Sequence, residues 1–282
     1  MKKATKLIAL MLAVIMAVFA FAACGKDTDG KTTEDPSNKT ASNESISGKQ
    51  ASGEKLSFSK KYVIYSDNSF APFEYLDTAT GKYTGFDMDL LAAIAEDQGF
   101  EYEMHNEGFD ASMGAVQSGQ ADAMIAGMTI TEDRQKQFDF SDGYIDNGQV
   151  LVVKADSSIK SLDDLKGKTV AVKASTQGRD YAESIKDKYG FKTVTYEGSA
   201  EMYQAVLNGI NDACFEDYPV ISYSIKTGTA LKTIGDVINP KPYGFAVKKG
   251  LNPELIAAFN AGLANIKANG VYDQILVKYG MK

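Results

Sequence analysis

A ten-residue pattern that occurs twice constrains the fold of this chain more than any other feature of its sequence. The two copies span residues 117–126 and 207–216. Each copy ends a helical pattern with a glycine, continues through two residues to the pair Asp-Ala, and then has two apolar residues before a small or polar one. Chance similarity is one explanation of so short a match. A repeated structural plan is the other, and it predicts two lobes that each contain this strand.

The rest of the chain after residue 58 alternates between short apolar runs and helical patterns. Between residues 86 and 98, for example, apolar side chains recur at helical spacing, and Gly99 follows where a helix cap belongs. Such alternation indicates an α/β fold, with a mainly parallel sheet flanked by helices in each lobe. The predicted strands are residues 62–65, 102–105, 122–125, 150–153, 169–173, 194–196 and 212–215, and the predicted helices are residues 86–98, 111–117, 177–188, 201–207, 254–268 and 272–279.

The first residues of the chain have the composition of an export signal. Lysines at positions 2, 3 and 6 precede an uncharged apolar run over residues 7–23, and Cys24 follows. The run is also long enough for an uncleaved membrane anchor, which is the alternative. Residues 21–24 (Phe-Ala-Ala-Cys) resemble the lipobox of bacterial lipoproteins, in which the cysteine is diacylated. The resemblance implies a signal peptide over residues 1–23 and lipidation of Cys24.

The composition changes abruptly after Cys24. Residues 25–57 are mostly charged, hydroxyl-bearing, amide or glycine residues, and no aromatic or large aliphatic residue occurs before Ile46. Such a segment cannot bury enough apolar surface to offset the entropy lost on ordering. We therefore interpret residues 24–57 as a lipidated cysteine with a flexible tether. A long tether on a lipid anchor favours the outer face of a Gram-positive cell membrane.

Charge and residue counts exclude several functions. The net charge is −7 and no basic block is present, so nucleic acid is not an expected partner. A single histidine and two cysteines leave no histidine or thiolate metal site, and no calcium-loop motif occurs, so no metal or cofactor is expected. Cys214 lies within an apolar strand pattern, and we interpret it as a core residue rather than half of a disulfide.

Arginine is rare in this chain. Of the 30 basic residues, only Arg134 and Arg179 are arginine. A guanidinium can bind a carboxylate through two parallel hydrogen bonds, which an ammonium cannot do. The alternative for Arg134 is a helix-surface residue paired with its acidic neighbours. If the two copies of the repeated pattern face each other across a cleft, the segment leading to Arg134 lies opposite Glu216 and Asp217. A cation on one side and anions on the other suit a zwitterion.

Four further motifs occur in a fixed order. They are Asp-x-x-Phe-Ala-Pro-Phe-Glu at 67–74, Gly-Phe-Asp-Met-Asp-Leu at 85–90, Gly-Met-Thr-Ile-Thr-x-x-Arg at 127–134 and Phe-x-Phe-Ser-x-x-Tyr at 138–144. Together they resemble the bacterial extracellular solute-binding proteins that deliver polar amino acids to ABC importers. The resemblance covers about residues 58–282. Residues 126–129 and 172–176 are most similar to the binding loops of glutamine-binding members.

This resemblance implies a periplasmic-binding-protein-like fold of two lobes joined by hinge strands near residues 149–154 and 243–248. The first lobe would comprise residues 58–150 with 247–282, and the second residues 151–246. A free amino acid would be captured between the lobes when the hinge closes. The implied protein is a monomer, and its partner is an ABC importer permease with a cytoplasmic ATPase.

The resemblance also implies roles for individual residues. Arg134 would bind the α-carboxylate of the ligand, and Asp217 would hold its α-ammonium. Phe70 and Phe109 would be aromatic walls of the pocket. Each has an ordinary alternative, such as a helix cap for Asp217 or core packing for Phe109. The complete predicted set is Asp67, Phe70, Phe109, Ala126, Gly127, Thr129, Arg134, Lys173, Thr176, Gln177, Glu216 and Asp217.

The residues expected near the ligand side chain leave its identity open. Asp67 and Lys173 match positions that contact the side chain in glutamine binders, and Lys173 argues against an arginine or lysine ligand. Glu216 stands where glutamine binders can carry histidine, and it would favour a cationic ligand. If Lys173 and Glu216 neutralise each other, an amide-binding pocket remains. Glutamine, or a similar neutral polar amino acid, is therefore the preferred ligand.

Two other functions are compatible with this fold. Some dehydratases that act on arogenate or prephenate resemble the family, and Glu216 would then serve as a general acid. A ligand sensor that signals through a separate partner is the second alternative. No Ser/His/Asp set and no histidine base are visible in the sequence. We therefore favour a receptor that is not an enzyme.

Overall fold

The computed structural model describes residues 58–282. The predicted signal peptide, Cys24 and the predicted tether lie outside the described residues. Among the described helices, none is long and apolar enough to cross a membrane.

The described residues form strands and helices in close alternation. The strands are β1 (Tyr62–Ser66), β2 (Ser69–Phe70), β3 (Glu74–Asp77), β4 (Lys82–Thr84), β5 (Tyr102–Asn106), β6 (Ala123–Met124), β7 (Phe138–Phe140), β8 (Ile145–Lys154), β9 (Thr169–Lys173), β10 (Lys192–Tyr196), β11 (Ala213–Asp217), β12 (Leu231–Tyr243) and β13 (Ala246–Lys248). The helices are α1 (Phe86–Gln98), α2 (Phe109–Ser118), α3 (Glu132–Gln135), α4 (Gln177–Tyr189), α5 (Ser199–Leu207), α6 (Tyr218–Lys226), α7 (Pro253–Ala268) and α8 (Val271–Lys278), with a 3₁₀ helix at Leu162–Leu165.

Two five-stranded sheets define two α/β lobes, which confirms the predicted fold class. The first sheet has the strand order β5-β1-β6-β13-β7, and the second has the order β10-β9-β11-β8-β12. A small sheet of β2, β3 and β4 accompanies them. The sheets are mainly parallel, as predicted, but each contains one reversed strand, because β13 and β8 pair antiparallel with both neighbours. Each of these strands enters its sheet directly from the other lobe, β8 after β7 and β13 after β12, rather than by a crossover within one sheet.

The two copies of the repeated sequence pattern have the same local structure. Gly119 and Gly209 both have positive φ, at 81° and 72°, and each follows the helix of its copy. The aspartate of each copy then accepts a backbone N–H from the neighbouring strand, Asp122 from Val63 at 2.9 Å and Asp212 from Thr169 at 2.9 Å. The repeat therefore encodes one helix–turn–strand unit that is used once in each lobe.

Four buried clusters cover the faces of the two sheets, and the largest lies beneath α1, α7 and α8. The helical spacing predicted for α1 is confirmed, since Leu90, Leu91 and Ile94 all face this core. Burial of each such side chain stabilises the fold by about 1.5–3 kcal/mol. These packed layers hold the strand ends, and the loops that follow them, in fixed positions.

Two elements of the second lobe were not predicted. Helix α6 begins directly after β11, with Pro219 in its first turn. Strand β12 contains Pro240 and Pro242, which argue against a strand because proline cannot donate to a ladder. It forms nonetheless because it is an edge strand with register irregularities, and an edge tolerates missing donors.

The chain passes twice between the sheets. It leaves the first sheet at Phe140 and enters the second at Ile145, and it returns between Tyr243 and Ala246. The first passage therefore precedes the hinge strand predicted at 149–154, and the second falls within 243–248. The exact boundaries of the two lobes stay a prediction.

Candidate functional site

A cavity that encloses about 260 Å³, including open solvent, lies between the two lobes, where loops that follow strands of both sheets meet. Open α/β sheets usually bind ligands at this end of their parallel strands. All ten lining residues belong to the twelve predicted from the sequence. They are Phe70, Phe109, Ala126, Gly127, Thr129, Arg134, Lys173, Thr176, Gln177 and Asp217.

Larger cavities occur elsewhere in the described part of the chain. One groove encloses about 1050 Å³, including open solvent, and is lined by residues such as Tyr218, Pro240 and Met281. None of the twelve predicted residues lines it. We therefore place the candidate site in the smaller interlobe cavity, because charged, aromatic and loop residues from both lobes converge there.

Arg134 supplies the positive charge of the first lobe. It lies in α3, whose start is capped by the Thr131 side chain, and it is only 9% exposed. One guanidinium nitrogen donates to the Thr129 carbonyl at 2.9 Å, and another donates to the Ser175 carbonyl of the second lobe at 2.9 Å. Burial lowers the pKa of Arg134, and the charge of Asp217 opposes that shift. The guanidinium has five N–H donors, so these two bonds leave donors for a carboxylate.

Asp217 supplies a negative charge at the end of β11. Its carboxylate accepts hydrogen bonds from Gln149 at 3.1 Å and from the Tyr243 hydroxyl at 2.5 Å. Burial raises the pKa of Asp217, while these bonds and the charge of Arg134 act in the opposite direction. Sequence reasoning missed both donors, because they lie on β8 and β12, far from Asp217 in the chain.

Lys173 and Asp67 form an ion pair across the lobes. Their side chains are 2% and 1% exposed. The Lys173 ammonium also lies 4.6 Å from the ring centroid of Phe70 and 5.8 Å from that of Phe109. Asp67 does not line the cavity itself, and it also accepts the backbone N–H of Asn68 at 2.7 Å. The Lys173 ammonium thus lies against the rings of Phe70 and Phe109, and Asp67 of the first lobe holds it there.

Glu216 is the other predicted residue that does not line the cavity. Its carboxylate accepts the Tyr203 hydroxyl at 2.9 Å and the backbone N–H of Asp217 at 2.8 Å. Burial, followed by the charge of Asp217, raises the pKa of Glu216 to about 7. A carboxyl held in this way does not face the cavity, so the geometry does not favour a general acid there.

The loop before α4 reaches the site through its backbone. Thr176 caps the helix by accepting the N–H of Arg179 at 3.3 Å, and it donates to the Lys173 carbonyl at 2.8 Å. Ser175 has a φ of 59°, in the left-handed region that favours glycine. This conformation points the Ser175 carbonyl at Arg134, while its hydroxyl contacts Asp110 of the first lobe. The loop therefore joins the two lobes as well as lining the cavity.

Comparison with known proteins agrees with this arrangement. A profile of the bacterial extracellular solute-binding proteins, family 3, matches residues 44–282. The arginine-binding extracellular protein ArtP of Bacillus subtilis is 32% identical over 223 residues, which cover 78% of this chain and 86% of that protein. The ABC transporter glutamine-binding protein GlnH of the same organism is 35% identical over 206 residues, which cover 71% and 74%.

Solved structures extend this similarity from sequence to fold. An ancestral arginine-binding protein bound to glutamine has a TM-score of 0.73 at 38% identity, and the match covers 80% of this chain and 100% of that one. The profile match spans both lobes, and the sequence relatives match over most of their own length. The chain therefore belongs to the bacterial extracellular solute-binding proteins of family 3.

Proposed function

We propose that this protein is an extracytoplasmic receptor that captures a polar amino acid between its lobes and delivers it to an ABC importer. The observation that carries the proposal is that Arg134 and Asp217, which have opposite charges, line the same interlobe cavity. The names of the relatives, which bind arginine or glutamine, support the same ligand class.

A zwitterion matches this pair of charges. An α-carboxylate can accept the N–H groups of Arg134, and an α-ammonium can donate to Asp217. A ligand with only one of these groups would leave the other pole buried without its partner, which is unfavourable in a site shielded from water. The aromatic walls select for the organic part of the ligand but not for its charge.

Glutamine is the proposed ligand because of the Asp67–Lys173 pair. A carboxamide has a carbonyl that accepts from an ammonium and an NH₂ group that donates to a carboxylate. A neutral carboxamide can accept from Lys173, which lines the cavity, without changing the balance of charge, because Asp67 already neutralises the ammonium. An arginine or lysine side chain would meet the Lys173 cation beside Phe70, and a glutamate side chain would add a negative charge to the already neutral Asp67–Lys173 pair.

Titration calorimetry of wild-type protein against the twenty L-amino acids tests this proposal. We expect L-glutamine to bind most tightly, and L-arginine and L-glutamate to bind at least about tenfold more weakly, since an unmatched buried charge costs more than 1.4 kcal/mol. Binding of none of the twenty would contradict the receptor function. Tighter binding of arginine would leave the receptor function intact but contradict the assignment of glutamine.

Membrane attachment through a lipid on Cys24 is part of the same proposal, and it rests on the sequence of residues 1–57. A tethered receptor would be retained at the cell surface close to its importer. We expect the Cys24→Ser variant to appear in the culture medium instead of the membrane fraction when the fractions are compared by immunoblot. Retention of that variant in the membrane fraction would contradict the anchor.

A further inference from the structure

Two carboxyl groups are buried side by side behind the binding loop. Glu74, at the start of β3, and Asp87, in the first turn of α1, are both 0% exposed. The Asp87 backbone N–H donates to the carbonyl of Phe73, the residue before Glu74, at 3.0 Å, and both oxygens of Glu74 and one of Asp87 have no N–H or O–H donor among the described residues. The second oxygen of Asp87 accepts the backbone N–H of Gly127 at 2.9 Å and the Tyr144 hydroxyl at 2.8 Å.

One proton must be shared by this pair at neutral pH, because two adjacent buried carboxylates cannot both be charged. Burial raises the pKa of Glu74 well above its usual range, and the neighbouring Asp87 adds to the shift. Burial raises the pKa of Asp87 to about 6, but the bonds from Gly127 and Tyr144 favour its ionised form. Glu74 receives no such bonds, so the proton lies on Glu74 and is donated to Asp87.

The atoms that Asp87 holds belong to the site and to the hinge. Gly127 lines the cavity, has a φ of 54° and lies so close to Phe70 that a Cβ atom would be 2.4 Å from its ring. Tyr144 immediately precedes β8, where the chain passes to the second lobe. A single carboxylate therefore connects the binding loop to the hinge.

We propose that Glu74 and Asp87 are positioning residues, and that the proton on Glu74 keeps Asp87 in place to hold the Gly127 loop in its ligand-binding form. Loss of this proton weakens ligand capture as the pH rises. The inference rests on the proposed amino-acid receptor function, since it concerns the affinity of the same cavity.

The groups that face the pair determine the sign of the pH effect. Asp67 adds to the negative potential at Glu74, and Lys173 reduces it, but these two form an ion pair with each other. Tyr144 and Tyr272 face Asp87, with Tyr243 behind Tyr144. Ionisation of Glu74 would then place a second buried negative charge against Asp87. The arrangement of protonated Glu74 and ionised Asp87 exists above the pKa of Asp87, about 6, and is lost as the pH rises through the raised pKa of Glu74.

The Glu74→Gln variant tests this directly, because an amide donates to Asp87 without carrying a titratable proton. The dissociation constant for L-glutamine is measured from about pH 6 to about pH 9 in both proteins. We expect the wild-type constant to rise about tenfold more than that of Glu74→Gln, which corresponds to one pKa unit of coupling. Titration of the ligand and of Asp217 or Glu216 affects both proteins, so it cancels when the two dissociation constants are divided. Glu96→Gln, at an exposed position of α1, should behave as wild type.

If the ratio of the wild-type dissociation constant to that of Glu74→Gln stays constant across this pH range, the proposal is overturned. If Glu74→Gln does not fold, infrared titration of wild type upward from about pH 7 provides the second test, since a protonated carboxyl band must outlast the ionisation of Glu216 and must decline as ligand binding weakens. Absence of that band would also overturn the proposal. If wild type binds no amino acid at about pH 6, the receptor function fails instead. The pair would then be tested by the pH dependence of thermal unfolding, which Glu74→Gln should flatten.

Discussion

The Arg134→Ala variant is expected to lose measurable binding of L-glutamine. Arg134 is buried, lines the cavity and is already oriented by the Thr129 and Ser175 carbonyls. Each hydrogen bond to a charged partner contributes roughly 1.5–3 kcal/mol. Two such bonds to the α-carboxylate correspond to a loss of about a hundredfold or more in affinity. Titration calorimetry at neutral pH measures this change.

The chain provides its own control for this experiment. Arg179 is the only other arginine in the sequence, and it lies in α4 without lining the cavity. The Arg179→Ala variant should bind L-glutamine as wild type does. Arg134→Lys should fall between wild type and Arg134→Ala, because it keeps the charge but not the planar fork. Equal affinity of Arg134→Ala and Arg179→Ala would contradict the carboxylate-binding role.

The Lys173→Met variant is expected to reverse the ligand preference from glutamine to arginine. Methionine is about as long as the aliphatic part of lysine but leaves Asp67 buried without its cation. Removing one partner of a buried ion pair costs about 3–5 kcal/mol, and a ligand guanidinium can replace the missing charge. We expect the ratio of the dissociation constants for L-arginine and L-glutamine to fall at least about a hundredfold relative to wild type. Calorimetric titration with both ligands gives this ratio.

A double variant isolates the charge of Asp67 as the cause. In Asp67→Asn/Lys173→Met, no buried carboxylate remains to attract a cationic side chain at this position. The gained preference for L-arginine should therefore disappear, although the pocket has the same shape as in Lys173→Met. If Lys173→Met retains the wild-type preference for glutamine, the Asp67–Lys173 pair does not determine specificity.

The sequence predicted the contents of the cavity well because most of its residues follow strands in short, recognisable motifs. Gly127, Thr129 and Arg134 lie in one such segment, and the parallel strands of both lobes direct these segments to one end of their sheets. The repeated pattern predicted that the segment leading to Arg134 lies opposite Glu216 and Asp217, and the family resemblance distinguished Asp217 from Glu216. These features depend on local order and on strand direction, both of which are encoded within a few residues.

The orientation of Glu216 could not be taken from a motif. Neighbouring side chains of a strand point to opposite faces, so Asp217 and the adjacent Glu216 cannot both face the cavity. The hydrogen-bond donors to Asp217 could not be predicted either, because they lie on strands that are distant in the sequence. Gln149 and Tyr243 contact Asp217 only because β8 and β12 pair beside it, and the prolines of β12 concealed that strand.

The reversed direction of one strand in each sheet was not predicted, for a related reason. Strands β8 and β13 have the same apolar composition as a buried parallel strand, and periodicity carries no information on direction. Their direction is decided by the two passages of the chain between the lobes. The link between Asp87 and Gly127 likewise joins residues 40 positions apart, and it becomes visible only when helix α1 packs behind the loop.

A crystal structure of the wild-type protein grown with L-glutamine tests capture between the lobes most directly. We predict that the ligand occupies the interlobe cavity, with its α-carboxylate on Arg134, its α-ammonium on Asp217 and its carboxamide on Lys173. A ligand bound outside this cavity, or bound inside it with the carboxylate away from Arg134, would contradict the proposed function.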